Sequence, residues 1–546
     1  MFFRKVLLSN VAGQCAKSLL CNSLSLWERA GVRGLAAKST SLCLFYCASL
    51  LRTAVPENNK RVVSWFLSAK PSPRRSPRGR GSCLQTRGPL VAGSLIVVIA
   101  STISPTIAAA QDLQRSSSTT EAASELRRAA DLLQSGDLDE AEPILHRVLA
   151  SNPNNADAHN LLGVILDQRG KTAEAEREYR AALRLNPNHV SALANLGVLL
   201  AHSKREDEGI KTFESVRRLA PDHPQATINL GLLYSARNDY QRATELLARA
   251  NELQPHTFDI SYQLGLALYN LKRLDDAVTA FESAVSVSPH AAEPIYFLGV
   301  IAFERGRDEA ASDLLKKALV LRSDYPEANF MLGELSAKHQ DYSAARDYYE
   351  RAWRQDPTLS VYYIRLGGVY LLLGNFNQAM KIFQSAAERF PAIAEIHYFT
   401  AIAARGVGNY DLALAELQTS LALQPNSADS LALSGAINLD RANLTEAEKL
   451  LRRALTFNQQ HFNAQYDLGR LLVKTNRYAE ALPLLQRAAE INPNSVEVHY
   501  QLYLALSRLK RKTDADHELE IYKQLREKEK VQKLIIRKTA TLSAFV

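Results

Sequence analysis

The sequence predicts an all-α chain built as a solenoid of antiparallel helix pairs, and three sets of columns predict it. The first is a ladder of glycines: Gly163, Gly197, Gly231, Gly265, Gly299, Gly333 and Gly367 stand 34 residues apart, each preceded by leucine. Ala401 takes one rung, and the ladder resumes at Gly435 and Gly469. The second is alanine, twelve residues after each rung from Ala141 and Ala175 to Ala481 and Ala515, with Gly209 alone in its place; seven residues further stand Ala182, Ala250, Ala284, Ala318, Ala352, Ala386, Ala454 and Ala488. The third is proline, closing the unit at Pro153, Pro187, Pro221, Pro255, Pro289, Pro357, Pro391, Pro425 and Pro493, with Ser323 and Gln459 as exceptions. A fixed period of this size without insertion means stacked copies of one supersecondary unit. Function is therefore to be read from a repeated surface.

Each column has a mechanical reading. Small residues let two helices approach closely while larger ones fill the grooves between them. Proline cannot continue a helix and restrains the residue before it. Asn155, Ser427 and Ser495, just after the proline turns, are placed to cap the next helix. A second turn falls mid-unit, at Gly136, Gly170, Gly374 and Gly408. Each unit reads as helix, short turn, helix, proline turn.

The order Leu-Gly, Ala, aromatic, Ala, Pro resembles the tetratricopeptide repeat, with Tyr179, Phe213, Phe281, Tyr349 and Phe383 at its second-helix aromatic. About twelve units fit in register between 121 and 529, roughly three quarters of the chain. The family's early tryptophan is absent from every unit. The resemblance implies a right-handed superhelix whose first helices line a concave groove. The final unit departs from the pattern, with Tyr503 at the glycine and Tyr522 at the second alanine, and residues 496–535 read as the polar end cap that solenoids need. Residues 536–546 read as a frayed tail, with Ile535 and Ile536 folding back on the cap.

Charge and cysteine divide the chain at its N-terminal part. Residues 1–110 hold 15 Lys and Arg against two acids, whereas the remainder holds 51 basic and 55 acidic residues. The net +9 is therefore no argument for nucleic-acid binding by the repeats. All five cysteines precede residue 84, which excludes a disulfide or thiolate metal site in the array.

Residues 1–83 read as an unstructured extension, Ser-, Arg- and Pro-rich from Lys70 to Gly81. Within it, Ser23 to Gly31 resembles a peptide that recurs in unrelated bacterial reading frames, which makes the extension a candidate for a mis-assigned start outside the natural product. Arg87, the uncharged run Gly88–Ala110 and the ending Ala108-Ala109-Ala110 make residues 84–110 a secretory signal, with a mature chain starting at Gln111. The alternative is a retained membrane anchor over 89–110, long enough to span a bilayer. The expected location is periplasmic or secreted, or else anchored with the repeats outside the cytoplasm. Residues 111–120 are a polar linker.

The motifs of catalysis are missing. The ladder glycines sit singly rather than in a phosphate loop, and the histidines show no metal spacing. Acid pairs such as Asp139-Glu140 sit where a second helix starts and suit its dipole. Neither catalytic residue, cofactor nor metal is expected. What remains is the inner surface. At the fifth first-helix position stand Tyr262, Tyr296, Phe330, Tyr398, Tyr466 and Tyr500, which could anchor a peptide or pack between units as core. Arg405 and Arg470 belong to a late basic cluster suited to an acidic partner segment. The expected function is a non-catalytic scaffold binding a protein or peptide. The alternatives are a subunit or truncated relative of a protein O-glycosylating glycosyltransferase, or an intracellular RNA-processing adaptor.

Overall fold

A computed structural model of the protein describes the backbone of residues 120–543 and the side chains of 123–531. The expected extension at 1–83, the signal or anchor at 84–110, nearly all of the 111–120 linker, and the side chains of Ile535 and Ile536 lie outside what is described. Among the described residues there are 24 helices and no strand. None of these helices is long and apolar enough to cross a membrane.

The chain divides between Ser323 and Asp324, at the repeat whose closing proline is replaced by Ser323. The first unit holds α1 (Thr120–Ser135), α2 (Leu138–Ser151), α3 (Ala156–Gln168), α4 (Thr172–Leu185), α5 (Val190–His202), α6 (Glu206–Leu219), α7 (Pro224–Ala236), α8 (Tyr240–Leu253), α9 (Phe258–Asn270), α10 (Leu274–Val287), α11 (Ala292–Glu304) and α12 (Asp308–Leu321). The second holds α13 (Pro326–Lys338), α14 (Tyr342–Gln355), α15 (Ser360–Leu372), α16 (Phe376–Arg389), α17 (Ala394–Gly406), α18 (Tyr410–Leu423), α19 (Ala428–Asp440), α20 (Leu444–Phe457), α21 (Phe462–Lys474), α22 (Tyr478–Ile491), α23 (Val496–Arg508) and α24 (Lys512–Ser543). Within each unit every helix packs on its chain neighbours, and first helices also meet those of adjacent repeats, as α19 meets α21.

The ladder glycines have a specific tenant. Each faces the side chain sixteen residues later on its partner helix: Gly163 faces Tyr179, Gly197 faces Phe213, Gly265 faces Phe281, and Gly435 and Gly469 face Leu451 and Leu485. A Cβ at Gly163 would lie 2.6 Å from the Tyr179 ring. The glycine is therefore a socket for the aromatic or leucine side chain of the same repeat. The alanine columns lie between the paired helices and are fully buried, from Ala141 and Ala175 to Ala447 and Ala481.

Two kinds of turn join the helices. After each first helix comes one left-handed residue. It is glycine at Gly136, Gly170, Gly306, Gly374 and Gly408, but Lys204, Asn238, Lys272, Gln340, Ala442, Asn476 and Lys510 adopt it as well. The hydrogen bonds Lys171 N–H to Leu166 O (2.9 Å) and Gly170 N–H to Asp167 O (2.9 Å) identify a Schellman-type end. The expected glycine turn is thus one conformation used in all twelve repeats. At the proline turns Asn155, Ser427 and Ser495 accept from the backbone N–H groups of Ala158, Ser430 and Val498, as expected.

The end of the chain differs from expectation. α24 runs on to Ser543, so most of the frayed tail expected from 536 is helical. The physical reason is that residues 512–546 contain neither glycine nor proline to stop a helix.

Candidate functional site

The fifth-position residues do not share one environment. In the first unit, Tyr262 on α9 is half-buried; its ring lies 5.8 Å from Phe258, 6.0 Å from Phe281 and 6.3 Å from Phe297. Burial, reinforced by the Glu293 carboxylate, raises its phenol well above the ordinary tyrosine range. Tyr296 on α11 is also half-buried, edge-on to Phe297 at 5.2 Å. In the second unit, Phe330 is half-buried against Tyr349 and Tyr362. Tyr398 and Tyr466 are only 7% exposed, so they belong to the core between helices. Tyr500 is 40% exposed and packs against Tyr503 and Tyr522.

The late basic cluster changes character in three dimensions. Arg405 donates from Nη2 to Asp440 Oδ2 at 2.8 Å, and Arg470 donates from Nη2 to Asp440 Oδ1 at 3.2 Å. Asp467 lies 3.3 Å from Arg470. Two arginines and two aspartates therefore form an internally neutral, largely buried cluster, roofed by the Tyr466 ring 5.9 Å from Arg470. Burial raises the Asp467 carboxyl, against the pull of Arg470. The expected pair of partner-seeking cations is thus a packing element. Asp440, at the end of α19, is the residue the sequence reading missed. Its signal was spacing: it lies 35 residues after Arg405 and 30 before Arg470, one repeat from each. Arg365 is used similarly, buried with Nε 2.6 Å from Glu334, which also accepts from the Tyr349 hydroxyl.

The histidines are more organised than their scatter suggests. His159, His397 and His499 occupy the fourth first-helix position, where the tetratricopeptide pattern has tryptophan. In each, Nδ1 meets a second-helix glutamate (Glu178, Glu416, Glu518) and Nε2 meets the carbonyl of the preceding turn proline (Pro153, Pro391, Pro493). Both nitrogens face acceptors, so only a ring protonated on both gives two N–H donors. Burial lowers the His499 imidazolium, but Glu518 and the Pro493 carbonyl overcome it and raise its pKa. His189 and His461 instead cap their helices: Nδ1 accepts from Ala192 and Ala464 N–H, while Nε2 donates to Asp157 and Asp429. Among the described residues no group of three or more His, Cys, Asp or Glu side chains is disposed to hold a metal ion.

Paired helices stacked one on the next within each unit, with half-buried aromatics recurring on the first helices, define a helical-repeat protein. Two sequence profiles of the tetratricopeptide repeat match it, one over 132–196, 168–229, 336–405 and 438–506, the other over 207–256, 228–292, 262–326, 298–360 and 400–462. The chain belongs to the tetratricopeptide-repeat family, with matches running without a gap from 132 to 506.

It is similar to anaphase-promoting complex subunit 3 of Schizosaccharomyces pombe, with 34% identity over 83 residues, 15% of this chain and 12% of that protein. It is similar also to anaphase-promoting complex subunit CDC16 of Saccharomyces cerevisiae, with 24% identity over 183 residues, 32% of this chain and 22% of that protein. The matched segments thus span less than a quarter of either relative. Among solved structures it is similar to the Cut9–Hcn1 hetero-tetramer of that complex, with 15% identity over 77% of this chain and 96% of that one at a TM-score of 0.39. Pseudomonas aeruginosa pilF gives 20% identity over 41% of this chain and 96% of that one at 0.34.

Proposed function

We propose that this chain is a non-catalytic interaction scaffold that holds an extended or helical segment of a protein partner along the first-helix face of its repeats. The observation that carries the reading is the fifth-position column. Tyr262, Tyr296, Phe330 and Tyr500 keep part of each ring at the surface while the rest packs into the repeat. A half-buried ring is pre-ordered and loses little freedom on binding, which suits an anchor. The two relatives reported above are subunits of the anaphase-promoting complex, which supports a role in holding proteins together.

The test is site-specific photo-crosslinking in the native host. A benzoylphenylalanine at Tyr262 or Tyr296 is expected to capture one partner segment. The same group at Val320, 85% exposed on the second helix α12, is expected to capture none of it. Capture of that segment from Val320 alone overturns the assignment of the face.

We further propose that the repeats work outside the cytoplasm, delivered by the signal pattern at 84–110 or tethered by the run at 89–110. N-terminal sequencing of native protein is expected to begin at Gln111, or to find the chain in the membrane fraction with 89–110 retained. Recovery from the cytosol of a chain that starts at Met1 overturns both.

A further inference from the structure

Phe297 is the hub of an aromatic group in the first unit. It is 7% exposed, stacks on Phe281 at 5.3 Å, and is ringed by Tyr262, Tyr269 and Tyr296 at 6.3, 5.7 and 5.2 Å. The three tyrosines are all half-buried and sit on the first helices α9 and α11. Two carboxylates flank the group: Glu304 accepts from the Tyr269 hydroxyl at 2.6 Å, and Glu293, 41% exposed and paired with Arg322 at 3.2 Å, lies beyond Tyr262. Residues 121–323 carry 29 acidic against 23 basic residues, whereas 324–546 carry 25 against 27.

Glu304 already has a cation beside it. The Lys272 ammonium, on the left-handed turn after α9, sits 4.8 Å above the Tyr269 ring centroid and 3.8 Å from Glu304. An ammonium over an aromatic face and beside a carboxylate is attracted by both. The Lys272 side chain is 39% exposed on a flexible stem, so a second cation can take its place without unfolding a helix.

We propose that the Tyr262–Tyr269–Tyr296 surface receives a basic peptide segment, one of whose lysines or arginines replaces Lys272 between Tyr269 and Glu304. This rests on the first-helix face being the binding face. It also reverses the polarity expected from Arg405 and Arg470, which Asp440 and Asp467 neutralise.

The experiment is fluorescence anisotropy with the chain from 111 to 546 and three labelled nine-residue peptides, in which leucine alternates with lysine, glutamine or glutamate. The lysine peptide is expected to bind about ten-fold more tightly than the glutamine peptide, and to weaken as salt rises from about 50 to about 300 mM. Lys272→Ala removes the internal competitor and is expected to tighten binding several-fold. Lys316→Ala, the same charge change at an exposed position of α12, is expected to leave it unaltered. Glu304→Gln and Tyr269→Phe are expected to weaken it at unchanged melting temperature. Equal effects of Lys272→Ala and Lys316→Ala overturn the proposal, because the gain is then net charge alone. If all three peptides bind equally and Tyr296→Ala weakens all three, the basic class falls and the face stands. If Tyr296→Ala changes binding of none, the face falls with it.

Discussion

Gly163 and Gly299 hold the same rung in two repeats, yet they face different tenants. A Cβ at Gly163 would press into the Tyr179 ring at 2.6 Å, whereas one at Gly299 would meet Leu315 Cγ at 3.0 Å. A flat ring wedged between helices cannot yield, and a leucine can change rotamer. Gly163→Ala is therefore expected to destabilise by about 1–3 kcal/mol through overpacking. Gly299→Ala is expected to be nearly neutral, because a helix-propensity gain of up to about 1 kcal/mol offsets the strain. Urea unfolding of the two variants checks the order, and a larger loss at Gly299 refutes the packing argument. Asp440 is the second residue whose removal is informative. Asp440→Ala leaves Arg405 and Arg470 with Asp467 alone, and both guanidinium Nε atoms are already buried without a partner. The expected loss is about 2–3 kcal/mol, reduced from the fully buried case because both arginines keep some exposure. Adding Arg405→Gln is expected to recover part of it. A neutral Asp440→Ala would mean that the cluster does no structural service.

At the scale of a single element, the turn and the repeat's own lock are the testable parts. Ala442 sits at φ 62°, where an alanine Cβ crowds the backbone. Ala442→Gly is expected to stabilise by about 1 kcal/mol, less whatever the unfolded chain gains in freedom. A melting temperature that falls would exclude a left-handed residue there. The His499 lock ties α23 to α24 through Glu518 and to the preceding turn through Pro493. Its folded pKa lies above the unfolded value of about 6.5, so its stabilisation is fully present below that value. It is lost as pH rises through the folded pKa. The terminal repeat is therefore expected to melt earlier at pH ~8.5 than at pH ~5.5, a difference that His499→Gln removes. Amide exchange across α23 and α24 at the two pH values, corrected for intrinsic rates, reads it. A terminal repeat more protected at the higher pH would overturn the sign.

Across the whole molecule, stability is expected to be a sum over neighbours. Within each unit a repeat packs on those beside it, so damage is expected to stay local. Gly163→Leu is expected to raise amide exchange in α3 and α4 and in the repeats on either side, while α19 to α22 in the second unit keep wild-type protection. Uniform loss of protection in both units would require a cooperative globule in place of a solenoid. The family and the helical character rest on this same additivity, since twelve weak copies in one register make a strong pattern.

What could be read from the chain alone was whatever repeats. The glycine rungs, buried alanines, proline turns and the caps at Asn155, Ser427 and Ser495 follow from period and residue type, because each is set by contacts within one repeat. The left-handed turn was legible only where glycine marks it, and Lys204 or Ala442 in the same conformation carries no such mark. What the sequence could not decide lies between repeats. Whether Tyr262 or Tyr466 shows its ring to solvent depends on the neighbouring helices. So does whether Arg405 is free or held, since Asp440 reaches it from the next first helix, 35 residues away. A side chain's charge is written in its identity, but its availability is decided by what the fold places within hydrogen-bond reach.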